Sequence, residues 1–575
     1  MFKKNTKFIV ILTIVTCLHS CNTKNLLKNS PFYNPPLHEG KTGINEDNSL
    51  AYYHYCIAQL YKNEGEVDQA IEEYKSALKY DIASPVLRTS LALMYIKKGL
   101  LQKAIDECKI AIRNNPNSIP AHLILGGLYS TTGKENEAIH EYESVINIDP
   151  ENKESYLFLG TLYAKVEQYE KAIESLNKLL EIDPESILAN YYQGRVHVEI
   201  KHYKEAIKYY LKTLELKPQF KDAFIELGVI YEFQGENDRA IEIYEEALLS
   251  FPANLSLLNR LGHIYIKINE LDKALDHFKR LKELGINGEN VGIKIGLIYF
   301  EQGKYDEAII EFQSILETEP DFHKVRYYLA TVYEKKEAPD RAIEEFKKIP
   351  LDSEFFSDSQ INIGYIFEKQ KNLKKAMAVI EEAIKKKGDD VNLFRFLASL
   401  YEEKNDYVKS IEILKKALEL EPDNIDVRLS IGIAYDKSGD PEKGIQEMKE
   451  VLKREPLNVT ALNYIGYTYA DMGINLDEAE RLIKKALEAK PDDGYITDSL
   501  GWVYYKKGKI QEAILELEKA FRLAADDPTI SEHLGDAYLK SSDKDKALDM
   551  YEKALELDPD KEILRKKIRM IKEQD

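Results

Sequence analysis

Apolar and polar positions alternate with a helical period over most of the chain. In residues 221–254 apolar side chains recur at i, i+3, i+4 and i+7, which places them on one face of a half-buried helix. Gly228 and Tyr231 share one side of a first helix, and Ala240 and Tyr244 share one side of a second. The pattern therefore predicts a helical hairpin with small residues where its two helices approach each other.

This hairpin recurs at a fixed interval along the chain. A small residue at the eighth position reappears every 34 residues, with one interval of 35 between Gly466 and Gly501. A constant period of this length is typical of stacked helical repeats. The register predicts 15 hairpins between residues 51 and 561. The small residues are Ala58, Ala92, Gly126, Gly160, Gly194, Gly228, Gly262, Gly296, Ala330, Gly364, Ala398, Gly432, Gly466, Gly501 and Gly535.

Two further positions keep the same register. Position 11 is Tyr in 13 of the 15 hairpins, and position 20 is Ala in 13, with Ser410 and Gly444 as the exceptions. Gly or Asn is predicted to end the first helix in ten hairpins, because both residues tolerate a left-handed backbone. These ten residues are Gly65, Gly99, Gly133, Gly235, Asn269, Gly303, Asn405, Gly439, Gly473 and Gly508.

The pattern Leu-Gly-x-x-Tyr, followed by Ala, an aromatic residue, Ala and Pro, resembles the tetratricopeptide repeat. It runs from Leu227 to Pro252 in the hairpin described above. The resemblance implies an all-α fold, a right-handed superhelical α-solenoid of about 15 hairpins in residues 51–561. Residues 562–575 are predicted to form a C-terminal capping helix with a polar outer side.

Two junctions between hairpins depart from the pattern. Residues 284–292 contain three glycines, and residues 349–358 move the closing proline forward. Either junction is a hinge or a tolerated variant, and the sequence leaves both interpretations open. In the second junction we expect Phe355 and Phe356 to be exposed.

Charge and missing motifs limit the possible functions. The formal net charge is −19, so no basic surplus exists to neutralise the phosphates of a nucleic acid. The sequence contains no glycine-rich phosphate loop, no His-Glu-x-x-His and no Cys-x-x-Cys. We therefore expect a protein that is not an enzyme and that needs no cofactor or metal.

The first 20 residues are predicted to be a lipoprotein signal peptide. Three lysines precede an apolar run, residues 8–18, which is too short to span a bilayer. The run leads to Cys21 in a context that resembles a bacterial lipobox, which implies lipidation of that cysteine. His19 departs from the motif, and an ordinary cleaved signal peptide remains the alternative. Residues 21–50, rich in Pro, Asn and Gly, are predicted to be a flexible tether.

Two other cysteines lie within the repeats. Cys108 takes the place of a bulky residue on a second helix, so we expect it to be a buried structural thiol. Cys56 occupies a different position of the first hairpin. A disulfide between the two is therefore not expected.

The resemblance also implies a binding surface. In the family, positions 2, 5, 9 and 12 of each first helix line an inner groove where partner proteins or peptides lie. The alternative for each of these side chains is packing against the next hairpin. The Lys/Asn pattern of members that clamp a C-terminal carboxylate is absent. Candidate groove residues are Tyr52, Tyr55, Gln59, Leu93, Ile96, Leu157, Tyr191, Arg195, Val198, Tyr365, Tyr467, Trp502 and Tyr505. As a hypothesis, Trp502 with Tyr467 and Tyr505 forms one anchor, and the region of Tyr52, Tyr55 and Tyr191 forms another.

One stretch of the chain resembles a narrower group of proteins within the repeat family. Residues 462–504 resemble a repeat pair of proteobacterial envelope lipoproteins, including a one-residue insertion before Leu476. Some of those proteins are adaptors that deliver substrates to periplasmic C-terminal-processing proteases. The alternatives are an assembly factor for a pilus, secretion or exopolysaccharide machine, and a regulatory subunit of a separate enzyme. A location in the cell envelope, facing the periplasm, follows from the resemblance. Asn22 in place of Asp favours the outer membrane.

Overall fold

The computed structural model describes residues 46–285 and 289–573, and every regular element among them is an α-helix. The helices fall into two compact units, which divide between residues 286 and 287. The helices of the first unit are α1 (Glu46–Glu64), α2 (Val67–Tyr80), α3 (Pro85–Lys97), α4 (Leu101–Asn114), α5 (Ile119–Thr131), α6 (Glu135–Ile148), α7 (Lys153–Lys165), α8 (Tyr169–Ile182), α9 (Ile187–Glu199), α10 (Tyr203–Leu216), α11 (Lys221–Gln234), α12 (Asn237–Ser250), α13 (Leu255–Lys267) and α14 (Leu271–Glu283).

The second unit continues the same alternation of helices. Its members are α15 (Glu289–Glu301), α16 (Tyr305–Thr318), α17 (His323–Lys335), α18 (Pro339–Lys347), α19 (Phe356–Lys369), α20 (Leu373–Lys386), α21 (Val391–Glu403), α22 (Tyr407–Leu420), α23 (Ile425–Lys437), α24 (Pro441–Arg454), α25 (Val459–Met472), α26 (Leu476–Ala489), α27 (Gly494–Lys506), α28 (Ile510–Leu523), α29 (Pro528–Lys540), α30 (Lys544–Leu557) and α31 (Glu562–Lys572). Within each unit every helix packs against the helix that follows it. The all-α repeat fold predicted from the sequence is confirmed.

A left-handed residue follows the first helix of every hairpin. All ten glycines and asparagines predicted for this role have positive φ, from 58° at Asn405 to 86° at Gly439. The left-handed residue lets the chain reverse direction without leaving the helix-end carbonyls unpaired. The prediction for these ten turns is confirmed.

Five hairpins reach the same turn with residues for which it is unfavourable. Glu167, Lys201, Glu337, Lys371 and Ser542 have φ between 56° and 69° at the equivalent position. A side chain with a Cβ pays about 1–2 kcal/mol in this conformation. Packing of the two flanking helices therefore imposes the turn where the local sequence does not favour it.

Small side chains allow the two helices of a hairpin to pack closely. A Cβ built on Gly228 would lie 2.1 Å from Cε1 of Tyr244, so the tyrosine ring occupies the space that a side chain would need. Tyr244 and Ala240 are both fully buried. The ring of the second helix thus fills a gap that the first helix leaves open.

The two exceptions at position 20 have structural explanations. Ser410 is fully buried, and its hydroxyl donates a hydrogen bond of 2.9 Å to Glu402. At Gly444 a Cβ would lie 2.2 Å from the hydroxyl of Tyr464, whose own hydrogen bond goes to the carbonyl oxygen of Gly432 at 3.3 Å. Each replacement of Ala accompanies a polar contact between neighbouring helices.

The junction at residues 349–358 differs from the expectation. Phe356 is buried, and Phe355 is half-buried with its ring 5.4 Å from that of Tyr327. The expected exposure of both rings is wrong, because the short helix α18 lets the connection fold back onto α17. The other irregular junction, residues 284–292, contains the border between the two units.

Successive hairpins are joined by hydrogen bonds as well as by apolar contacts. The hydroxyl of Tyr163, at position 11, donates to Glu143 of the preceding hairpin at 2.6 Å. Tyr265 donates to Glu245 at the same distance, again 20 residues earlier. The position-11 tyrosine therefore combines a buried ring with a polar tip that ties two repeats together.

The last helix covers the end of the second unit. Leu564 and Ile571 of α31 are buried against the apolar core of the final hairpins. Lys567 forms ion pairs with Glu532 at 2.8 Å and Asp536 at 2.5 Å. In the first unit, Cys108 is buried as expected and carries a free thiol.

A larger side chain at Ala240 is expected to overfill the gap between α11 and α12. Ala240→Leu should cost ~1–3 kcal/mol, and the damage should stay near repeat 6 because each hairpin contacts only its neighbours. Hydrogen exchange should show faster opening around α11 to α13, while the exposed control Glu242→Leu leaves it unchanged. Uniform loosening of all described repeats would contradict this local picture.

Glycine in place of a strained left-handed residue should stabilise its hairpin. Lys201→Gly is expected to raise the free energy of unfolding of the neighbouring helices by about 1 kcal/mol. The matched control is Lys208→Gly on the exposed face of α10, which should lower it by about 1 kcal/mol. Urea midpoints of the two variants should move in opposite directions; shifts of the same sign would refute the strain.

Candidate functional site

The candidate groove residues of the first hairpin differ in exposure. Tyr52 keeps 70% of its surface exposed, whereas Tyr55 is half-buried with its ring 6.2 Å from that of Tyr74. Burial raises the pKa of the Tyr55 hydroxyl, and a hydrogen bond with Gln59 partly offsets that effect. Tyr52 is thus available to a partner, and Tyr55 also supports the fold.

The aliphatic candidates lie between the core and the surface. Leu93, Ile96 and Leu157 are half-buried and pack against the apolar core of the first hairpins. They expose one edge at the groove positions and use the other for packing. Packing therefore accounts for part of each side chain, and the binding role of these three residues stays a prediction.

An aromatic and charged group surrounds Tyr191. The Tyr191 ring lies 4.9 Å from Phe220 and 5.9 Å from Tyr210. One helical turn later Arg195 is exposed, and its charge lowers the pKa of Glu226, although burial of that carboxyl raises the pKa more strongly. This surface can offer a cation and an aromatic face to a partner.

Sequence reasoning missed a polar network at position 12 of the next hairpin. Glu232 accepts hydrogen bonds from Arg260 at 3.0 Å and from the hydroxyl of Tyr244 at 2.5 Å. Most candidates at the groove positions were aromatic or aliphatic, and this carboxylate was not among them. Its position in the repeat was the signal that could have found it.

Carboxylates recur at position 12 in the second unit. Glu334, Glu368, Glu402 and Asp436 follow one another at intervals of 34 residues. Burial raises the pKa of Glu368, and the negative charge of the neighbouring Glu403 raises it further. Burial also raises the pKa of Asp436. Lysines form ion pairs with two of these four carboxylates, Glu334 and Glu402. The position-12 side chains of these four hairpins therefore remain acidic.

Tyr365 is one of four aromatic candidates in the second unit. It is 47% exposed, and its ring lies 4.3 Å from that of Phe396. The contact holds the ring in place and leaves nearly half of its surface free. A fixed aromatic side chain of this kind suits recognition of a partner.

Trp502 is buried, with only 8% of its surface exposed. Its ring stacks between His533, at 4.0 Å, and Tyr505, at 4.8 Å. The indole Nε1 donates to Asp471 at 3.4 Å, and the Lys506 ammonium lies 4.9 Å from the ring. Trp502 therefore holds neighbouring groove residues in position and presents little surface itself.

A cleft of about 210 Å³ opens beside this stack. It is formed by first helices α25, α27 and α29, which belong to three successive hairpins. Of the three residues proposed as one anchor, Tyr467 lines the cleft. The lining residues are Asn463, Tyr467, Tyr495, Asp498, Ser499, Asp527, Thr529 and Ile530.

Most of the cleft residues were not singled out from the sequence. Asn463 and Asp498 occupy position 5 of their hairpins, and Tyr495 and Thr529 occupy position 2. These are groove positions in the resemblance, so the register contained the signal. The sequence could not show that the polar residues of three hairpins meet in one cleft.

The described residues contain neither a metal-binding group nor a membrane-spanning helix. No group of three or more His, Cys, Asp or Glu in this part of the chain is arranged to hold a metal ion. Among the same residues, no helix has the length and apolar content needed to cross a membrane.

Comparison with known families identifies the repeat. Models described as tetratricopeptide repeat match six segments that together make up more than half of the chain. A model described as anaphase-promoting complex, cyclosome, subunit 3, matches residues 131–213. The tetratricopeptide repeat segments are residues 56–119, 233–285, 299–358, 357–388, 401–463 and 499–562.

Individual relatives are similar to parts of the chain. A tetratricopeptide repeat-containing protein of Pseudomonas aeruginosa is 47% identical over 47 residues, which are 8% of this chain and 8% of that protein. A solved tetratricopeptide repeat protein of Parabacteroides merdae is 21% identical, with a TM-score of 0.34, and covers 44% of this chain and 99% of its own. The solved pilF of Pseudomonas aeruginosa is 21% identical, with a TM-score of 0.31, and covers 39% of this chain and 98% of its own.

Proposed function

Since the chain belongs to the tetratricopeptide repeat family, a fold that binds other proteins, we propose that it is a non-enzymatic adaptor of the bacterial envelope. It binds partner proteins or peptides at the groove positions of its first helices. A lipid on Cys21 attaches it to the membrane, and the protein delivers bound proteins to a periplasmic protease.

The observation that carries the proposal is a difference between the two compact units. The groove positions of the first unit offer exposed Tyr52, the Tyr191 aromatic group and the cation of Arg195. Those of the second unit offer a row of carboxylates and the polar cleft beside Tyr467. Surfaces of such different chemistry suit two different partners, as an adaptor requires.

The aromatic side chains at these positions favour binding of proteins rather than small molecules. Tyr52 and Tyr365 are large, amphipathic and exposed, and Tyr365 is already held by Phe396. Side chains of this kind bury much area on binding and lose little rotamer entropy. We expect partner segments to lie across several hairpins.

Support for the envelope location comes from residues outside the described part of the chain. The three lysines, the apolar run of residues 8–18 and Cys21 have the order expected of a lipoprotein signal. The protease role rests on the resemblance of residues 462–504 to envelope adaptors. Helix α1 begins at Glu46, five residues before the predicted start of the repeats, so the predicted tether is shortened to residues 21–45. These residues would give the adaptor reach and raise its effective concentration near membrane substrates.

Removal of the proposed lipid site should release the protein from membranes. Cys21→Ala is expected to shift the protein to the soluble fraction and to abolish incorporation of labelled fatty acid. Cys56→Ala is the matched control, because that thiol is exposed and lies within the first hairpin. Labelling and fractionation of the Cys21 variant that match the unmodified protein would rule out the anchor.

Separate changes in the two units should remove different partners. Tyr52→Ala with Arg195→Ala alters the first unit, and Tyr467→Ala with Tyr495→Ala alters the second. Each pair is expected to weaken one set of partners by ~2 kcal/mol or more in pulldowns from solubilised envelope. The control is Leu249→Ala, since Leu249 is 85% exposed on the second helix α12.

The adaptor role is tested by which proteins are captured and by which of them each variant no longer captures. Capture of a protease by one unit and of other proteins by the other supports the adaptor. Retention of every partner by both variants, or loss of the same single partner, would overturn it. Trp502→Ala is avoided, because loss of a buried stacked ring costs ~3–5 kcal/mol of stability and would confuse folding with binding.

A further inference from the structure

The cleft beside Tyr467 differs from the rest of the groove positions in its polarity. Its lining contains two carboxylates, Asp498 and Asp527, and no lysine or arginine. Its volume of about 210 Å³ corresponds to the space of roughly seven water molecules in the liquid. It is therefore large enough for one side chain or chain terminus and too small for a folded element.

A buried charged group forms one wall. Asp498 is 5% exposed and His533 is 6% exposed. Both carboxylate oxygens of Asp498 lie 3.0 Å from Nδ1 of His533. A single N–H cannot occupy all the lone pairs of two carboxylate oxygens, so the carboxylate keeps acceptor capacity on the side of the cleft.

Asn463 provides a second hydrogen-bond acceptor that has no donor. The side-chain Oδ1 of Asn463 is buried, and no donor among the described residues reaches it. An unsatisfied buried acceptor costs about 1–3 kcal/mol, which a bound donor would recover. Tyr467 and Tyr495 add aromatic rings to the same cleft.

These groups discriminate between classes of ligand. An anion would face Asp498 and Asp527 with no cationic side chain in the lining to compensate. An apolar ligand would remove water from the carboxylate without replacing its hydrogen bonds, and it would leave Oδ1 of Asn463 without a donor. A positively charged group with several N–H donors satisfies both acceptors and can lie against the tyrosine rings.

We propose that the cleft lined by Asn463, Tyr467 and Asp498 binds a primary ammonium group of a partner protein. The group is either the side chain of a lysine or the amino terminus of a chain. The ammonium donates to Asp498 and to Oδ1 of Asn463 and contacts the ring of Tyr467. The assignment rests on the proposed protein-binding function and names the chemistry that the second unit recognises.

The protein contains a built-in reporter for this cleft. Trp502 is the single tryptophan of the chain, and it stacks on His533, the partner of Asp498. A cation that binds to Asp498 should change the surroundings of His533 and thereby the emission of Trp502. Binding should also raise the thermal midpoint of the second unit, because a ligand of the folded state stabilises it.

The experiment titrates the full chain with small probes at constant ionic strength. n-Butylammonium represents a lysine side chain, and glycinamide represents an amino terminus. Both should give saturable changes in emission and midpoint in the millimolar range, and the tighter of the two identifies the source. n-Butanol and acetate, the neutral and anionic comparisons, should give none.

Variants connect the response to the named residues. Asn463→Ala is expected to weaken ammonium binding at least about tenfold, because a hydrogen bond to a charged group is lost. Asp498→Asn should abolish it while retaining the shape of the side chain. Asn259→Ala, at the same position of repeat 7, and Asp526→Asn, an exposed acid beside the cleft lining, should leave it unchanged.

Several results would overturn the assignment. The first is a response to n-butanol equal to that of the amines, and the second is saturable binding of acetate. The third is the absence of a saturable response to both amines in both the emission and the thermal midpoint. The fourth is an equal effect of Asn463→Ala and Asn259→Ala on amine binding. Failure of amine binding while all pulldown partners remain counts against this cleft alone. If the unmodified chain binds the amines but captures no protein partner, the result counts against the proposed function.

Discussion

The structure depends on the close approach of the two helices in each hairpin. A Cβ on Gly194 would lie 2.5 Å from the ring of Tyr210, and the same overlap recurs at Gly228 with Tyr244. The ring of the second helix fills the space above a residue without a side chain, at the packing density of a protein interior. This contact sets the geometry of the hairpin, and hence which positions of the first helix face the core and which are free.

The free positions vary in chemistry because the core leaves them unused. Aromatic groups and Arg195 lie there in the first unit, and carboxylates recur there in the second. A repeat array tolerates this variation, since each hairpin needs only the apolar contacts with its neighbours. The scaffold can therefore carry several different binding surfaces without a change of fold.

Helix α27 differs most from this apolar pattern of core residues. It buries Thr497, Asp498 and Ser499 in succession, where other hairpins bury mainly Ala, Leu and Tyr. Buried polar groups cost free energy unless they are hydrogen-bonded, and Asp498 obtains only part of its hydrogen bonds from His533. The hydroxyls of Thr497 and Ser499 donate to the backbone carbonyl oxygens of Asp493 and Tyr495, so of these three side chains Asp498 is the one that keeps unused acceptor capacity.

The amino-acid sequence by itself determined the helices, their 34-residue register and ten of the 15 left-handed turns. These features depend on helical periodicity and on Gly or Asn at the turn, which act over a few residues. Glu167 and the four similar turns were not predictable, because packing of the flanking helices overrides an unfavourable local preference.

The candidate site shows the same division at longer range. The repeat register placed Tyr467 and Trp502 at groove positions, but only the tertiary structure decided that one lines a cleft and the other is buried. That outcome depends on His533, which comes from the next hairpin and stacks on Trp502. Asn463, Asp498 and Asp527 likewise meet because three hairpins stack, and contacts between residues about 30 apart have no signature in the local sequence.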